Sequence, residues 1–384
     1  MAPELTQEEI LRYSRHLLIP EVGLEGQEKL KAASVLIVGT GGLGSPIALY
    51  LAAAGVGRIG LVDYDVVDSS NLQRQIIHGS ERVGQLKVDS ARQRLLDLNP
   101  FIQIDTYNEV FSSQNAWQIA EGYDILVDGS DNFPTRYLLN DLAVLSGRPY
   151  VYGSIFRFEG QVSVFDARKG ACYRCLFPEP PPPGEVPSCA EGGVFGVLPG
   201  TVGTMQAAEV IKLILGIGEP LIDKLLLFDA LDVSLQSVRL RKNPKCRICG
   251  EQPEITQLID YEAFCGVPAR DVHADLAGED LDLEPVEILH RLQQGQALQL
   301  VDVRDPVEQQ VSTLPGAVLI PLPELMQRLD EVDRDRPVVL FCRTGVRSVR
   351  ALRLLAAQGY SQVYSLKGGI NAWADQVDPT IRKY

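Results

Sequence analysis

Short apolar runs without alternation recur along the first two thirds of the chain, each next to a glycine-bearing loop or a stretch with helical spacing. "SVLIVG" at residues 34–39 is β-branched and apolar at successive positions, the pattern of a strand covered on both faces. After the cluster "GTGGLG", "SPIALYLAAAGV" predicts a helix and "RIGLVDYD" the next strand. "YDILVDGSDN" and "PYVYGSI" predict later parallel strands, "GQVSVFD" and "KLLLFDALD" further strands, and "TVGTMQAAEVIKLILG" an apolar helix. This βαβ rhythm predicts an α/β fold with a Rossmann-like doubly wound sheet.

The pattern breaks twice. "FPEPPPPGEVPSC" can be neither a helix nor a central strand, and its prolines predict a long exposed loop. From 253 to 282 the chain turns acidic and aperiodic, as in a linker with local structure. Helix and strand patterns then return in "LEPVEILHRLQQG", "ALQLVDVRD", "RPVVLFC", "VRALRLLAAQGY" and "QVYSLKGGINAW". The expected organisation is a first domain over 1–252, a linker over 253–282 and a smaller α/β domain over 283–384, two domains being the prior for 384 residues.

A net charge of −14 argues against a general nucleic-acid surface or a basic membrane patch. The uncharged stretch 32–57 is interrupted by the glycine cluster, which excludes a lipid-exposed helix. The opening "MAPELTQEEILRYSRH" has no apolar core of a signal peptide, so a cytoplasmic protein with reduced thiols is expected. The seven cysteines then point to metal binding or catalysis rather than disulfides.

Gly39, Gly41 and Gly44 fit G-x-G-x-x-G, with Gly42 inside the loop. Such glycines let the backbone approach phosphates at a helix N-terminus. Asp63 ends the next strand, placed for ribose hydroxyls. These features alone mean only a nucleotide, and a nicotinamide-dependent oxidoreductase or a nucleotide-binding scaffold remains open. Ser70, Asn71, Arg74 and Gln75 follow in "DSSNLQRQ", and Lys87 in "GQLKVDSA". Cations at the phosphates serve phosphoryl or adenylyl transfer, where negative charge builds up, and hydride transfer has no use for them. "DGSDN" adds Asp131, a carboxylate for Mg²⁺, and Asn132 beside it.

"LRYSRH", "GTGGLG", "LVDYDVVDSSNLQRQ", "VGQLKVDSA" and "DGSDN" resemble the adenylyltransferases that activate molybdopterin-synthase and thiamine sulfur carriers, relatives of the ubiquitin-activating enzymes, over roughly residues 5–252. The resemblance implies ATP-dependent adenylation of the C-terminal Gly-Gly of a small ubiquitin-like sulfur-carrier protein. It implies Arg15 reaching ATP from the other subunit of a homodimer, Gly42 in the phosphate loop, and Asp63 on the ribose. It also implies Asn71, Arg74 and Lys87 on the phosphates, and Asp131 on the metal.

Cys172 and Cys175, with Cys246 and Cys249, form two C-x-x-C pairs. Two such knuckles complete a closed, structural Zn²⁺ site, which the resemblance also implies. Cys189, after the proline loop, is a candidate nucleophile for an activated acyl group, against the plainer reading of a small buried residue, and the resemblance implies a thioester or acyl-disulfide partner here. Cys265 has no charged partner beside it and is read as inert; the four histidines show no ligand spacing.

Cys342 opens a strand-to-helix loop, "CRTGVR", whose amides form an anion nest at a helix N-terminus. A phosphatase loop needs C-x₅-R; here residue 348 is serine and the arginine is Arg347, a tighter loop suited to the terminal sulfur of a persulfide. The loop, with "LVDVRDPVEQ", "LPGAVLIP" and "LKGGINAW", resembles rhodanese-type sulfurtransferases over roughly residues 283–384. It departs from them in "QQVSTLPGAV", where such domains usually carry a Gly-His or similar pair. The expected protein is an adenylyltransferase and sulfurtransferase that uses ATP, Mg²⁺ and Zn²⁺. It would take sulfur from a sulfane donor such as a cysteine desulfurase and form the carrier's thiocarboxylate. Molybdopterin (molybdenum cofactor), thiamine, cysteine and thio-tRNA pathways all remain open.

Overall fold

The computed structural model describes residues 4–182, 192–266 and 281–384, and the chain divides into two compact units, residues 1–269 and 270–384. The first unit is built on an eight-stranded sheet. Its strands are β1 (Ser34–Val38), β2 (Arg58–Val62), β3 (Gln103–Tyr107), β4 (Ile125–Asp128), β5 (Tyr150–Phe156), β6 (Glu159–Phe165), β7 (Lys224–Asp229) and β8 (Ser234–Arg239), in the order β3-β2-β1-β4-β5-β6-β7-β8. The first five are parallel and β6 to β8 are antiparallel. The doubly wound half is therefore extended by a meander. Strands β3 and β8 are not among those the hydrophobic pattern marks, because their residues alternate or are largely exposed.

All five residues of β1 are buried, as its uninterrupted apolar run predicts. Chain order reverses between β1 and its neighbours β2 and β4, so the loops after β1 and β4 diverge and open a crevice at the strands' carboxyl ends. The helix Gly44–Ala54 follows β1 and packs against the helix Leu198–Leu215 on one face. The helix Phe133–Ser146 follows β4 on the other face, capped by Asn132, whose side chain accepts from the Thr135 N–H at 3.0 Å. Of the stretch after residue 252, Ile255, Tyr261 and Cys265 are buried in the first unit's clusters.

The second unit is a five-stranded parallel sheet. Its strands are β9 (Asp282–Leu283), β10 (Gln299–Asp302), β11 (Val318–Leu319), β12 (Val338–Phe341) and β13 (Val363–Leu366), in the order β11-β10-β12-β13-β9. Central β12 shows the two-residue period directly: Val338 and Leu340 pack with the helix Val346–Ala357, and Val339 and Phe341 with Ile288, Ile370 and Trp373. No helix among the described residues is long and apolar enough to cross a membrane.

Candidate functional site

The loop after β1 is held by close backbone approach. A Cβ on Gly44 would lie 1.9 Å from the Gly39 carbonyl oxygen, so only glycine lets the helix start there. Gly41 and Gly42 face Gln75 and Arg74: their Cβ positions would lie 3.3 Å from Gln75 Nε2 and 3.7 Å from Arg74 Cγ. Arg74 Nη2 donates to Asn71 Oδ1 at 2.7 Å, and buried Lys87 donates to Asp65 at 2.9 Å. Asp63 accepts from the Thr40 N–H and hydroxyl at 2.8 and 2.9 Å, which orients its carboxylate beside the loop. Ser70 donates to Asp68 from both its N–H and its hydroxyl.

The structure thus brings Gly41, Gly42, Asn71, Arg74 and Gln75 together, with Asp63 at the same strand edge. Asp131 and Asn132 lie exposed in the loop after β4, across the switch point. Arg15 is exposed on the turn of helix Ser14–Leu17 and takes no part in these contacts. Cys189 lies outside the described residues.

Three neighbours of this site carry no signal in the sequence. Thr40 orients Asp63, and Asp65 anchors Lys87. His78 is buried with Nε2 3.2 Å from the Thr40 carbonyl and Nδ1 3.0 Å from the Ser90 hydroxyl. A carbonyl only accepts, so Nε2 carries the proton, and burial holds the imidazole below its ordinary range.

The four knuckle sulfurs form one cluster. Cys172 Sγ lies 3.8, 3.6 and 3.3 Å from the sulfurs of Cys175, Cys246 and Cys249, and Cys175 and Cys249 are 3.4 Å apart. A tetrahedron with bonds of about 2.3 Å to zinc needs sulfur separations of about 3.8 Å. Four thiolates this close repel strongly, and a dication offsets that repulsion. The donor set and its spacing fit Zn²⁺ with no position left open. Cys265, by contrast, is a lone buried thiol, pushed up to about 11 by desolvation.

In the second unit Cys342 follows β12 and is 1% exposed. The Gly345 N–H donates to Cys342 Sγ at 3.1 Å, so one loop amide points at the sulfur. Gly345 has φ +97°, a left-handed conformation that turns the loop into the helix Val346–Ala357. Arg347 does not reach the sulfur by any described hydrogen bond; its two Nη atoms bind Glu308 at 2.6 and 2.7 Å. Glu308 also accepts from the Tyr384 hydroxyl at 2.8 Å, and Tyr384 accepts from Arg304 at 2.8 Å. This support was partly legible, since Asp305 and Glu308 form a capping box at the helix Pro306–Gln309. Tyr384 gave no such signal.

A phosphate-type loop with cations and a separate cysteine anion nest can perform, respectively, nucleotidyl transfer and sulfur transfer. The comparisons with known proteins agree. The ThiF family model matches residues 13–248 and the rhodanese-like domain model residues 285–376. The probable adenylyltransferase/sulfurtransferase MoeZ of Mycobacterium tuberculosis is 50% identical, over 100% of this chain and 97% of its own length. The adenylyltransferase and sulfurtransferase MOCS3 of Drosophila yakuba is 45% identical, over 99% of this chain and 86% of its own. Among solved structures, E. coli MccB with ATP has a TM-score of 0.55 and 26% identity, over 62% of this chain and 73% of that one. The chain belongs to the ThiF family, carries a C-terminal rhodanese-like domain, and is an adenylyltransferase and sulfurtransferase.

Proposed function

We propose that the protein converts the C-terminal glycine carboxylate of a small ubiquitin-like sulfur carrier ending in Gly-Gly into a thiocarboxylate. One observation carries this reading: a single chain holds both a glycine loop with the bonded pair Arg74 and Asn71 beside it and a second loop whose Gly345 N–H meets the Cys342 sulfur; Lys87 would complete the phosphate cradle. Residues 1–252 would act as the adenylation domain and 283–384 as the sulfurtransferase domain; of the segment 253–282 between them, Ile255, Tyr261 and Cys265 pack into the first unit.

In the first half-reaction a carrier carboxylate oxygen attacks the α-phosphorus of ATP, and pyrophosphate leaves. Gly39, Gly41, Gly42 and Gly44 admit the phosphates, and Ser70, Gln75 and Asn132 line the nucleotide site. Asp63 binds the ribose. Arg74 and Lys87 offset the charge that develops on the phosphate, joined by Arg15 of the second subunit in a homodimer. Asp131, exposed and with no hydrogen bond from a described residue, would hold Mg²⁺, which supplies further charge neutralisation when bound. Gly-rich loop, ribose carboxylate and cations each act where charge is held or built up.

In the second half-reaction Cys342 carries a persulfide from a sulfane donor such as a cysteine desulfurase. An added sulfur stands about 2 Å beyond Sγ, which extends reach from a buried cysteine. The terminal sulfur attacks the acyl carbon, AMP leaves, and an acyl disulfide forms. Attack by the Cys189 thiolate on the Cys342 sulfur then frees the thiocarboxylate and leaves a Cys189–Cys342 disulfide for an external dithiol to reduce. The alternative order, with Cys189 taking the acyl group first as a thioester, uses the same residues. Arg347 acts by holding the loop through Glu308. The compartment is the cytoplasm, where Cys342 and Cys189 stay reducible.

The test is intact mass spectrometry of Gly-Gly-ended carriers incubated with ATP and a sulfane donor. One sulfur replaces one oxygen with the native chain and not with Cys342→Ala, and Asp131→Ala depresses carrier-dependent pyrophosphate release. Pyrophosphate release that ignores the carrier, or thiocarboxylate formed by Cys342→Ala, overturns the reading.

A further inference from the structure

Arg136 sits on the first turns of the helix Phe133–Ser146 and is 7% exposed. A guanidinium offers five donors, and buried ones are almost always taken. Here Nε is buried without a partner among the described residues, and the nearest carboxylate, Asp128, stands 3.8 Å away. Asp128 is itself occupied: its Oδ1 accepts from the Ser130 N–H and hydroxyl at 2.9 and 2.6 Å, and its Oδ2 from the Tyr150 hydroxyl at 2.9 Å. The cation is instead held between rings, 5.4 Å from the Phe133 centroid and 5.8 Å from that of Tyr152. Charge and stacking keep Arg136 in place, and its directional hydrogen-bonding capacity is left for something else.

Its position says what that is. Asp128 ends β4, and Gly129 presses against the glycine loop so closely that a Cβ there would lie 2.4 Å from the Gly39 carbonyl oxygen. Arg136 therefore flanks the crevice on the β4 and β5 side. Asn71, Arg74 and Lys87 follow β2, on the opposite side of β1 in the sheet order. Adenylation joins two anions, a triphosphate and a carboxylate, and the two sides of the crevice present separate cations to them. The planar fork of an arginine matches a carboxylate in a bidentate pair.

We propose that Arg136 binds the C-terminal carboxylate of the protein substrate and presents it to the α-phosphate. This rests on the carrier-adenylating reading above. One carboxylate oxygen becomes bonded to phosphorus as pyrophosphate leaves, and the other stays a carbonyl acceptor for the same guanidinium.

The test uses the full chain and a Gly-Gly-ended carrier, prepared as the free acid and as the C-terminal amide. Wild type binds the acid about 10- to 100-fold more tightly than the amide, the discrimination expected of a charged bidentate pair. Arg136→Lys keeps a cation beside Asp128, so ATP affinity stays within about twofold while the carrier KM rises by about the same 10- to 100-fold. The acid-over-amide preference falls to near unity in that variant. A merely structural role would weaken acid and amide alike, and that result overturns the proposal. As a measurement on the unaltered protein, the Arg136 guanidinium N–H resonances of ¹⁵N-arginine-labelled chain shift downfield with the acid and stay put with the amide. Unmoved resonances overturn it as well. Normal carrier-dependent pyrophosphate exchange with an unchanged KM in Arg136→Lys refutes the arginine's role and leaves the adenylation reading intact. Absence of exchange in wild type refutes both.

Discussion

Removing one partner of the Asp141–Arg174 pair should damage the first unit more than removing both. Arg174 stands between the zinc-knuckle cysteines Cys172 and Cys175, and Asp141 lies on the helix Phe133–Ser146. Arg174 Nε and Nη2 donate to the two oxygens of Asp141 at 2.7 and 2.8 Å, with side-chain exposures of 1% and 0%. Asn140 Nδ2 adds a third bond to Asp141 at 2.9 Å and the Tyr261 hydroxyl a fourth at 2.8 Å, tying in the segment after the second knuckle. Replacing Asp141 with leucine strands a buried guanidinium, which costs about 3–5 kcal/mol. For a unit of this size each kcal/mol moves Tm by about 2–4 °C, so a fall of about 6–20 °C is expected. The double variant Asp141→Leu/Arg174→Met removes the stranded charge and should recover more than half of that loss, leaving mainly the cost of the Tyr261 hydroxyl and the buried Asn140 amide that lose Asp141 as acceptor. Urea unfolding followed by far-ultraviolet circular dichroism, with zinc content measured on the same samples, gives both numbers. A single variant within about 1 kcal/mol of wild type, or a double variant no better than the single, refutes the argument that charge burial dominates here.

Two further outcomes follow from the same physics. Burial alone would raise the Glu308 carboxyl, but Arg347, the Asp305 N–H and the Tyr384 hydroxyl outweigh it and hold the group below the ordinary carboxylate range. Its contribution is therefore complete above the unfolded value and lost as pH falls through the lower folded one; Glu308→Gln should flatten the acid limb of second-unit stability, read by Trp373 fluorescence in a Trp117→Phe background, and cost about 1.5–3 kcal/mol at neutral pH. Purified protein should carry one zinc per chain by elemental analysis, lost in Cys246→Ser together with thermal stability, while sulfur transfer from thiosulfate to cyanide by Cys342, which lies in the other unit, is unchanged. Metal-free protein of full stability would contradict the knuckle geometry.

The local motifs were readable because each depends on residues near one another in sequence. The glycine loop, the two C-x-x-C knuckles and the cysteine loop each need fixed spacing on one turn or one strand end, so a short window contains the whole signal. The fully buried strands β1, β4 and β12 were readable for a similar reason, since burial on both faces leaves uninterrupted apolar runs. Exposed β8 and alternating β3 leave no such run and stayed hidden. Directions of pairing were also beyond a linear reading: "GQVSVFD" looks like its parallel neighbours, yet it pairs antiparallel with β5.

What only the folded chain decides is where each polar group finds its partner. The sequence marks Arg347 beside Cys342, but the fold pairs it with Glu308, 39 residues away, and places Tyr384 behind that pair. The sequence marks Asp131 and passes over Arg136, five positions on, because an arginine in a helix is ordinarily a solvated surface group. Burial between two rings, beside a carboxylate already occupied, is what separates it from that default. Hydrogen-bond satisfaction is a three-dimensional property, since the donors and acceptors that meet at these sites come from strands and loops tens of residues apart. Spacing can name the residues able to do chemistry; packing selects which of them keep a free hand to do it.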